Sequence, residues 1–249
     1  MDRHADAARL LLAARAPGAP KLHDIPEVLR PHTPEQAFLV QRAIAAELGP
    51  IGGWKVGYTP ATKTFTCAPL PRTGVLPSPA RIDAACTDRG VEAEIAVTLG
   101  TALPPRPAPY TEAELQAAIE SAHPAIEVLQ SRFADPGAVD RLCALADSLG
   151  HHALVVGPAM PHWAGVDLRR ETVRVVVNGR AVKTATGNPG GAMLPLLCWL
   201  ANTGARWAGG LRAGQVVTTG SWTGADTVPE GGTAQVVFAH MGAAEASFA

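Results

Sequence analysis

Two glutamates lie one residue apart in the apolar stretch VEAEIAVTLG, which covers positions 91–100. The apolar and β-branched residues around them predict a strand, in which Glu92 and Glu94 point to one face of a sheet and their apolar neighbours point to the other. Carboxylates placed this close repel each other unless a positive charge lies between them. Two interpretations follow: the pair binds a cation, or it keeps a solvated edge strand soluble.

Two more charged residues interrupt apolar strands. Glu127 lies within AIEVL, and Lys55 lies within GWKVG. A buried carboxylate is costly unless it is paired, protonated or bound to a metal. Three glutamates without histidine or cysteine form an all-oxygen ligand set that suits Mg²⁺, Mn²⁺ or Ca²⁺. From spacing alone, a buried ion pair between Lys55 and one glutamate, without a metal, is an equal alternative.

The composition excludes several classes of protein. The 249 residues include 21 Lys and Arg against 22 Asp and Glu, and no stretch collects five like charges, which argues against nucleic acid as a partner. The longest apolar run, at positions 191–201, is far shorter than the roughly 20 residues of a membrane-spanning helix. The acidic start of the chain does not suit a signal peptide. We therefore expect a cytoplasmic protein of enzyme size that binds no membrane, with its four scattered cysteines as free thiols.

Helical signals are strongest in the first half of the chain. TPEQAFLVQRAIAAELG predicts a helix with Thr33 as N-cap, Gln36 closing a capping box and Gly49 as terminator. TEAELQAAIESA repeats the capping pattern and predicts a second helix, which Pro124 ends. Near the N-terminus, ADAARLLLAARA predicts an amphipathic helix that packs on its own core or on a neighbouring molecule through the stripe Ala7, Leu10, Leu11 and Ala14.

Strand signals dominate the second half. GGWKVGY, PAIEVLQ, ALVVG, QVVTTGSWTG and TAQVVFAH each predict a strand, and AMLPLLCWLANTG predicts a helix that ends at Gly204. In TVRVVVNGRAVKTATG, the pair Asn178 and Gly179 separates two alternating runs, which predicts a hairpin with a type I′ turn. The chain therefore mixes helices and strands without internal repeats.

Several of these stretches occur together in a fixed order: GWKVGYT, VEAEIAVTLG, AIEVLQSRF, LADSLGHHALVVG, VNGRAV and AGQVVTTGS. This order resembles the fumarylacetoacetate hydrolase superfamily, and within it the branch of 2-keto-4-pentenoate hydratases and 4-oxalocrotonate decarboxylases, from about position 33 to the C-terminus. The resemblance implies a β-rich α+β fold with a rolled mixed β-sheet and peripheral helices, and assembly into a homo-oligomer. We expect residues 1–50 to form an N-terminal helical segment packed on a catalytic domain of residues 51–249.

The resemblance also implies a metal site. In that family, the two glutamates of the ExE strand and the glutamate of the next matching strand hold a divalent cation, which assigns Mg²⁺ or Mn²⁺ to Glu92, Glu94 and Glu127. Lys55 matches the lysine of the GWKxG motif and is the expected catalytic residue. Its pKa would be lowered by a nearby cation and by burial, so that it can move a proton.

Substrate contacts are expected at Thr219, Gly220 and Ser221, which match the TGS turn of the family, and at Asp147. The segment at 147–150 departs from the usual Asp-Asn pattern of the family, so a non-catalytic structural subunit is an alternative function. Five other residues have two possible roles, either structural or in contact with the site: His123, His151, His152, Arg132 and Trp222.

The expected reaction follows from the family chemistry. A 2-oxo or 2-enol carboxylate offers two oxygens to one cation, and a 2-hydroxy-2,4-dienoate can then be hydrated to a 4-hydroxy-2-oxo acid in the catabolism of aromatic compounds. A 4-oxalocrotonate-type decarboxylase and an acylpyruvate C–C hydrolase are the alternatives. A decarboxylase substrate carries a second carboxylate, for which Arg72 is the one obvious cation in the expected pocket segments. We therefore expect a hydratase that acts on a monocarboxylic substrate.

Overall fold

The computed structural model describes residues 2–249; Met1, the first residue of the predicted segment 1–50, lies outside the described residues. The α-helices span Arg3–Ala13 (α1), Pro34–Leu48 (α2), Glu112–Ala118 (α3), Arg141–Ala146 (α4) and Met193–Trp199 (α5). Within residues 2–249, none of the helices has both the length and the apolar character needed to cross a membrane.

The strands form two sheets. Their bounds are Ile51–Thr59 (β1), Thr64–Pro71 (β2), Val75–Pro77 (β3), Ala80–Ile82 (β4), Gly90–Leu99 (β5), Ile119–Leu129 (β6), His151–Val156 (β7), Thr172–Val177 (β8), Arg180–Thr186 (β9), Val216–Thr218 (β10), Asp226–Thr227 (β11), Thr233–Phe238 (β12) and Gly242–Phe248 (β13). The larger sheet has the order β2-β1-β10-β5-β6-β7-β3, with β11 paired to β5, and the smaller has the order β4-β13-β12-β8-β9. Parallel and antiparallel pairs occur in both. This architecture confirms the predicted β-rich α+β fold.

The two faces of the larger sheet differ in character. On one face, Trp54 and Val56 of β1 and Ala93 and Ile95 of β5 are almost completely buried, and they belong to a core that also includes Phe238 of the smaller sheet. The opposite face carries the charged residues of β1, β5 and β6. The alternation predicted for these strands is therefore observed, and it separates the hydrophobic core from the polar face.

The N-terminal helices cover a second apolar cluster. Ala7 and Leu11 of α1 are buried together with residues of α2 and α4, so the amphipathic helix packs on its own chain. Ala8 is buried beside them, whereas Leu10 and Ala14 of the predicted stripe are only partly buried. Gln41 of α2 also fastens this cluster to the sheet region, because its amide nitrogen donates to the carbonyls of Cys67 and Leu145, at 3.1 and 2.6 Å.

The predicted cap of α2 is largely observed. The Thr33 hydroxyl accepts a hydrogen bond from the Gln36 backbone N–H, and Gly49 follows the helix with a positive φ of 94°. The Gln36 side chain, however, accepts from the N–H of His32 and does not return to Thr33. The helix start is therefore capped by an extended version of the predicted box.

The helix predicted from Thr111 to Pro124 is shorter than expected. Thr111 and Glu114 form the predicted capping box, but α3 ends at Ala118, and the chain continues directly as β6 through Pro124. Pairing with β5 along almost the whole of β6 stabilises the extended conformation more than local propensity stabilises another helical turn. This early start of β6 sets the register that positions Glu127.

The predicted hairpin is present between β8 and β9. Asn178 and Gly179 have φ values of 49° and 75°, the positive values that a type I′ turn requires at both central positions. The hairpin forms one edge of the smaller sheet.

Because β1 and β10 pack closely at Gly53, we expect a side chain at this position to destabilise the protein. A Cβ atom at Gly53 would lie 2.4 Å from the Val216 carbonyl oxygen of the neighbouring strand, and both strands have a partner on their other side. We expect Gly53→Ala to lower the free energy of unfolding by about 1–3 kcal/mol in urea titrations. Gly165→Ala is the control, since nothing lies within 4 Å of its added Cβ. An unchanged unfolding midpoint for Gly53→Ala would contradict the close approach.

Candidate active site

Strand register brings the predicted charged residues together. Glu92 lies directly opposite Glu127 in the β5–β6 pair, and Glu94 lies opposite Ala125. Lys55 pairs with Thr218 across β1 and β10, and β10 in turn pairs with β5. Directly paired residues of antiparallel strands project to the same face. One ligand oxygen from each of the three glutamates lies within 4.8 Å of the others.

Glu127 is the most deeply placed of the three carboxylates. It is 0% exposed, and its Oε1 atom accepts hydrogen bonds from Lys55 Nζ at 2.5 Å and His151 Nδ1 at 2.9 Å. The second carboxylate oxygen, Oε2, is buried without a hydrogen-bond partner among residues 2–249. Because a buried anionic oxygen without a partner is unfavourable, a cation beside this atom would stabilise it.

Hydrogen bonds from β10 and from the turn after it hold the side chain of Glu94. Its Oε2 atom accepts hydrogen bonds from the Thr218 hydroxyl and from the backbone N–H of Gly220, the latter at 2.9 Å. Both donors belong to β10 and the turn after it. The side-chain orientation of Glu94 therefore depends on the insertion of β10 between β1 and β5.

The pKa values reflect crowding of negative charge. Burial, followed by the charges of Glu127 and Glu92, raises the pKa of Glu94 well above its ordinary value. Burial and the charge of Glu127 also raise the pKa of Glu92. Burial opposes the ionised form of Glu127 as well, but Lys55 and His151 outweigh it and hold the pKa of Glu127 below its ordinary value. The ionised form is thus favoured at Glu127 and disfavoured at Glu92 and Glu94, relative to the ordinary carboxyl group.

The pKa of Lys55 in the metal-free protein differs from the expected lowering. Burial acts to lower its pKa, but the neighbouring carboxylates, Glu127 foremost, reverse the direction and raise the pKa above its ordinary value. Lys55 is therefore an ammonium group at neutral pH. The predicted lowering would require the added charge of a bound cation.

The donor set fits a hard divalent cation. All three side chains offer oxygen, burial and then neighbouring negative charge raise the pKa values of two of them, and Glu127 Oε2 has no protein partner within the described chain. Mg²⁺ and Mn²⁺ prefer such carboxylate sites and usually retain several waters or substrate oxygens. Glu92, which is only partly buried, leaves an open side for such ligands.

A cavity of about 460 Å³ opens over these residues. Its walls also include residues of β1, β2, the end of β6, the turn after β10 and two loops, namely Tyr58, Thr66, Leu129, Leu149, Pro189, Gly190, Gly220 and Ser221. Among the described residues that line it, Lys55 is the only lysine or arginine. Arg72, the cation considered for a second substrate carboxylate, is exposed and lies outside this lining.

The structure brings only part of the predicted substrate-binding set to the cavity. Gly220 and Ser221 line it, and the Ser221 oxygen accepts a hydrogen bond from the N–H of Gly224 at 2.9 Å. Thr219 lies in the same turn, but its hydroxyl is buried and donates to the carbonyl of Ile95 at 2.9 Å. The alternation of the chain turns Thr219 away from the cavity that its neighbours line.

Asp147 is also absent from the lining, in contrast to the predicted substrate contact. Its carboxylate is buried and binds the Nε and backbone N–H of Arg132, while Arg132 also donates to the carbonyls of Asp147 and His151. These hydrogen bonds stabilise the buried pair, and burial, opposed by Arg132, still raises the pKa of Asp147 above its ordinary value. The pair fastens the turn at 147–151, which presents Leu149, at φ 55°, to the cavity.

Two residues of the site were not predicted as such from the sequence. Thr218 lies in a predicted strand, and its hydroxyl now binds Glu94. His151 was weighed as structural or peripheral, yet it contacts Glu127 and is buried, and burial lowers its pKa to about 4. The alternative candidates lie elsewhere: His123 contacts Thr98 and Ser121, and Trp222 packs edge-on against Phe238.

Residues 58–249 match the family model described as fumarylacetoacetate (FAA) hydrolase C-terminal, which is well over half of the chain. The chain belongs to the fumarylacetoacetate hydrolase family. The resemblance inferred from the ordered motifs is therefore confirmed.

Solved structures of this family share its fold. 4-Oxalocrotonate decarboxylase from Pseudomonas putida G7, complexed with magnesium and adipate, is 24% identical, with a TM-score of 0.86 over 100% of this chain and 98% of that chain. The same enzyme complexed with calcium and acetate is 25% identical, with a TM-score of 0.85 and the same coverage. The 2-hydroxyhepta-2,4-diene-1,7-dioate isomerase from Mycobacterium marinum is 20% identical, with a TM-score of 0.52 over 80% of this chain and 75% of that chain.

The buried pair of Lys55 and Glu127 makes a prediction that requires neither metal nor substrate. Lys55→Met leaves an ionised carboxylate buried without its cation, so the free energy of unfolding of the metal-free protein should fall by about 3–5 kcal/mol. Adding Glu127→Gln should recover much of this loss, because the uncompensated charge is removed. Urea unfolding of the two single variants and the double variant measures the coupling. Additive single-variant effects would contradict the ion pair.

Proposed function

We propose that this family member is a divalent-metal-dependent lyase that hydrates a 2-hydroxy-2,4-dienoate to a 4-hydroxy-2-oxo acid, a reaction of aromatic catabolism. The observation that carries the proposal is the cavity in which Glu92, Glu94, Glu127 and Lys55 meet, with Lys55 as the only lysine or arginine in its described lining. This arrangement suits a substrate with one carboxylate at the reacting end and an uncharged tail.

Glu92, Glu94 and Glu127 are the proposed ligands of Mg²⁺ or Mn²⁺. The unpartnered Glu127 Oε2 and the crowding of carboxylates support this assignment, and the solved Pseudomonas relative carries magnesium or calcium. A bound divalent cation supplies Lewis-acid polarisation of a substrate oxygen. The protein itself contributes the fixed orientation of Glu94, through Thr218 and Gly220, and of Glu127, through Lys55 and His151.

Lys55 Nζ is the proposed site of proton transfer. Its ammonium group lies against Glu127 and lines the cavity, so it can deliver a proton to a substrate carbon and recover one from the attacking water. Hydration consumes one water and leaves the proton inventory of the enzyme unchanged. The Ser221 hydroxyl, which also lines the cavity, is the proposed donor to the substrate carboxylate.

The walls of the cavity favour an uncharged substrate tail. Tyr58, Leu129, Leu149 and Pro189 give these walls apolar surface, and Arg72 lies outside them. A second carboxylate enclosed there would lack a cationic partner, which makes its desolvation unfavourable. This reasoning supports hydration of a monocarboxylic dienoate over decarboxylation of a dicarboxylic substrate.

Decarboxylation is the second candidate, favoured by one specific observation. The similarity to 4-oxalocrotonate decarboxylase extends over the entire chain. The two reactions share the requirement for a 2-oxo carboxylate at the cation and differ in the charge at the far end of the substrate. Comparing the activity on a monocarboxylic and on a dicarboxylic substrate therefore distinguishes the two candidate reactions.

The metal assignment predicts a stability change without any substrate. Mn²⁺ at 100 times its dissociation constant should stabilise the metal-free protein by about 2.7 kcal/mol, and EDTA should reverse the shift in melting temperature. Glu94→Gln should abolish the shift because one ligand is lost and the carboxylate repulsion is relieved. Glu245→Gln, at an exposed position of β13, should respond like the wild type. Full turnover by rigorously metal-free protein would exclude the proposed role.

The substrate assignment predicts the outcome of a direct competition. With Mg²⁺ present, kcat/KM for 2-hydroxypenta-2,4-dienoate should exceed that for 2-oxohex-3-enedioate by about tenfold or more, measured by loss of ultraviolet absorbance and by CO₂ release. Lys55→Met should lower turnover by roughly 10²-fold or more. Arg72→Ala is the control and should leave kcat/KM for both substrates unchanged. A tenfold preference for the dicarboxylic substrate, with CO₂ released, would establish the decarboxylase instead.

A further inference from the structure

Three buried polar atoms behind the candidate site have no hydrogen-bond partner among the described residues. They are Nε of Arg15, Oε1 of Gln41 and Nε2 of His151. Their residues come from three separate parts of the chain, the segment after α1, helix α2 and the start of β7, yet all three line one small cavity. Buried polar groups in proteins are normally paired, so this convergence calls for a common partner.

The cavity is the size of one water molecule. Its volume is about 10 Å³, which corresponds to roughly one water-sized probe. An internal site holds water when it is polar and offers the molecule two to four partners. The three unpartnered atoms meet this condition, and a larger ligand does not fit.

The hydrogen-bonding roles of the three atoms are complementary. Gln41 Oε1 is an acceptor, because the amide nitrogen of the same side chain donates to the carbonyls of Cys67 and Leu145 and thereby fixes the orientation of the amide. His151 Nδ1 faces the carboxylate of Glu127, which only accepts, so Nδ1 carries the proton and Nε2 of the neutral ring is an acceptor.

Arg15 supplies the remaining role. Its Nε–H is a permanent donor, since burial and the nearby Arg132 lower the pKa of Arg15 only to about 10. One donor and two acceptors are the set that a single water satisfies, by accepting one hydrogen bond and donating two. Each of the three atoms would then be paired.

We propose that one ordered water in this cavity joins Arg15 and Gln41 to His151, and that these three residues position Glu127 for metal binding. The water fixes the ring orientation of His151, whose Nδ1–H holds Glu127 Oε1 and leaves Oε2 without a hydrogen-bond partner among the described residues. His151, Arg15 and Gln41 are thus positioning residues. The water site stands on the geometry alone, and only the effect on the metal rests on the proposed function.

The water site is tested on the metal-free wild-type protein. A high-resolution crystal structure should contain one water within hydrogen-bond distance of all three atoms, and ¹⁵N spectra of histidine should give the neutral Nδ1–H tautomer for His151. A dry cavity, or the opposite tautomer, would overturn the proposal. Neither measurement depends on catalytic activity or on metal affinity.

The positioning role is tested by the Mn²⁺ dissociation constant. His151→Phe removes both ring contacts and should weaken Mn²⁺ binding by about 10- to 100-fold, the usual effect of losing a partner of a metal ligand. His151→Asn retains a donor at the Nδ1 position and should recover part of this loss. Arg15→Met and Gln41→Met should each weaken binding by less than His151→Phe, because they act through the water.

The control for these variants is Arg9→Met, an exposed position on α1 that should leave the dissociation constant unchanged. Equal Mn²⁺ affinity in the wild type, His151→Phe and Arg15→Met would overturn the positioning role. Failure of the wild type itself to bind Mn²⁺ would refute the proposed metal site, whereas the water and the tautomer would still decide the structural part of the inference.

Discussion

Mutual repulsion of three carboxylates on one face of a sheet is the constraint on which the structure of this site depends. Glu94 and Glu127 are almost completely buried, and Glu92 lies directly opposite Glu127. One ammonium group, that of Lys55, stands against them, so the cluster keeps an excess of negative charge. Burial and this excess of negative charge raise the pKa values of Glu92 and Glu94, which disfavours their ionised forms. The charge balance of the cluster therefore depends on the position of Lys55.

The order of the strands makes this charge balance possible. β10 lies between β1 and β5. Lys55 of β1 therefore contacts Glu127, while Thr218 of β10 and Gly220 of the turn after it bind Glu94. Close spacing of β1 and β10 requires Gly53, where any side chain would meet the carbonyl of Val216. The hydrophobic face of the same strands is packed in the core, which prevents the charged face from rearranging. Hydrophobic packing on one face of the sheet therefore keeps the mutually repelling carboxylates in place on the other face.

A second group of buried charges supports the site without lining its cavity. Arg132 and Asp147 form a buried ion pair in which Nε, Nη1, Nη2 and the backbone N–H of Arg132 each donate to the carboxylate or to a carbonyl, and the pair holds the turn that leads to His151. Such a pair adds little net stability relative to apolar residues, but the loss of one partner leaves an unpaired buried charge. The segment at 147–150 therefore contributes to the support of the site, while the glutamates and Lys55 line its cavity.

The sequence by itself determined the faces of the strands and the chemistry they carry. Period-two alternation in VEAEIAVTLG and GWKVGY is a local property, so the common face of Glu92 and Glu94 and the opposite faces of Lys55 and Trp54 followed from the chain alone. The cap at Thr33 and the turn at Asn178 and Gly179 are equally local. The order of the motifs, rather than any single motif, was enough to indicate the family, which the family model then confirmed.

Only the tertiary structure decided which polar residues reach the cavity. Regular alternation along β7 would direct His152 toward Glu127, but a register shift opposite Val128 and Leu129 places His151 there instead. Thr219 and Asp147 were expected at the substrate, yet nonlocal partners, the carbonyl of Ile95 and the side chain of Arg132, bind them first. The end of α3 at Ala118 likewise depends on pairing with β5. Bulges, ion pairs and strand pairing join residues distant in sequence, and local periodicity contains no information about such partners.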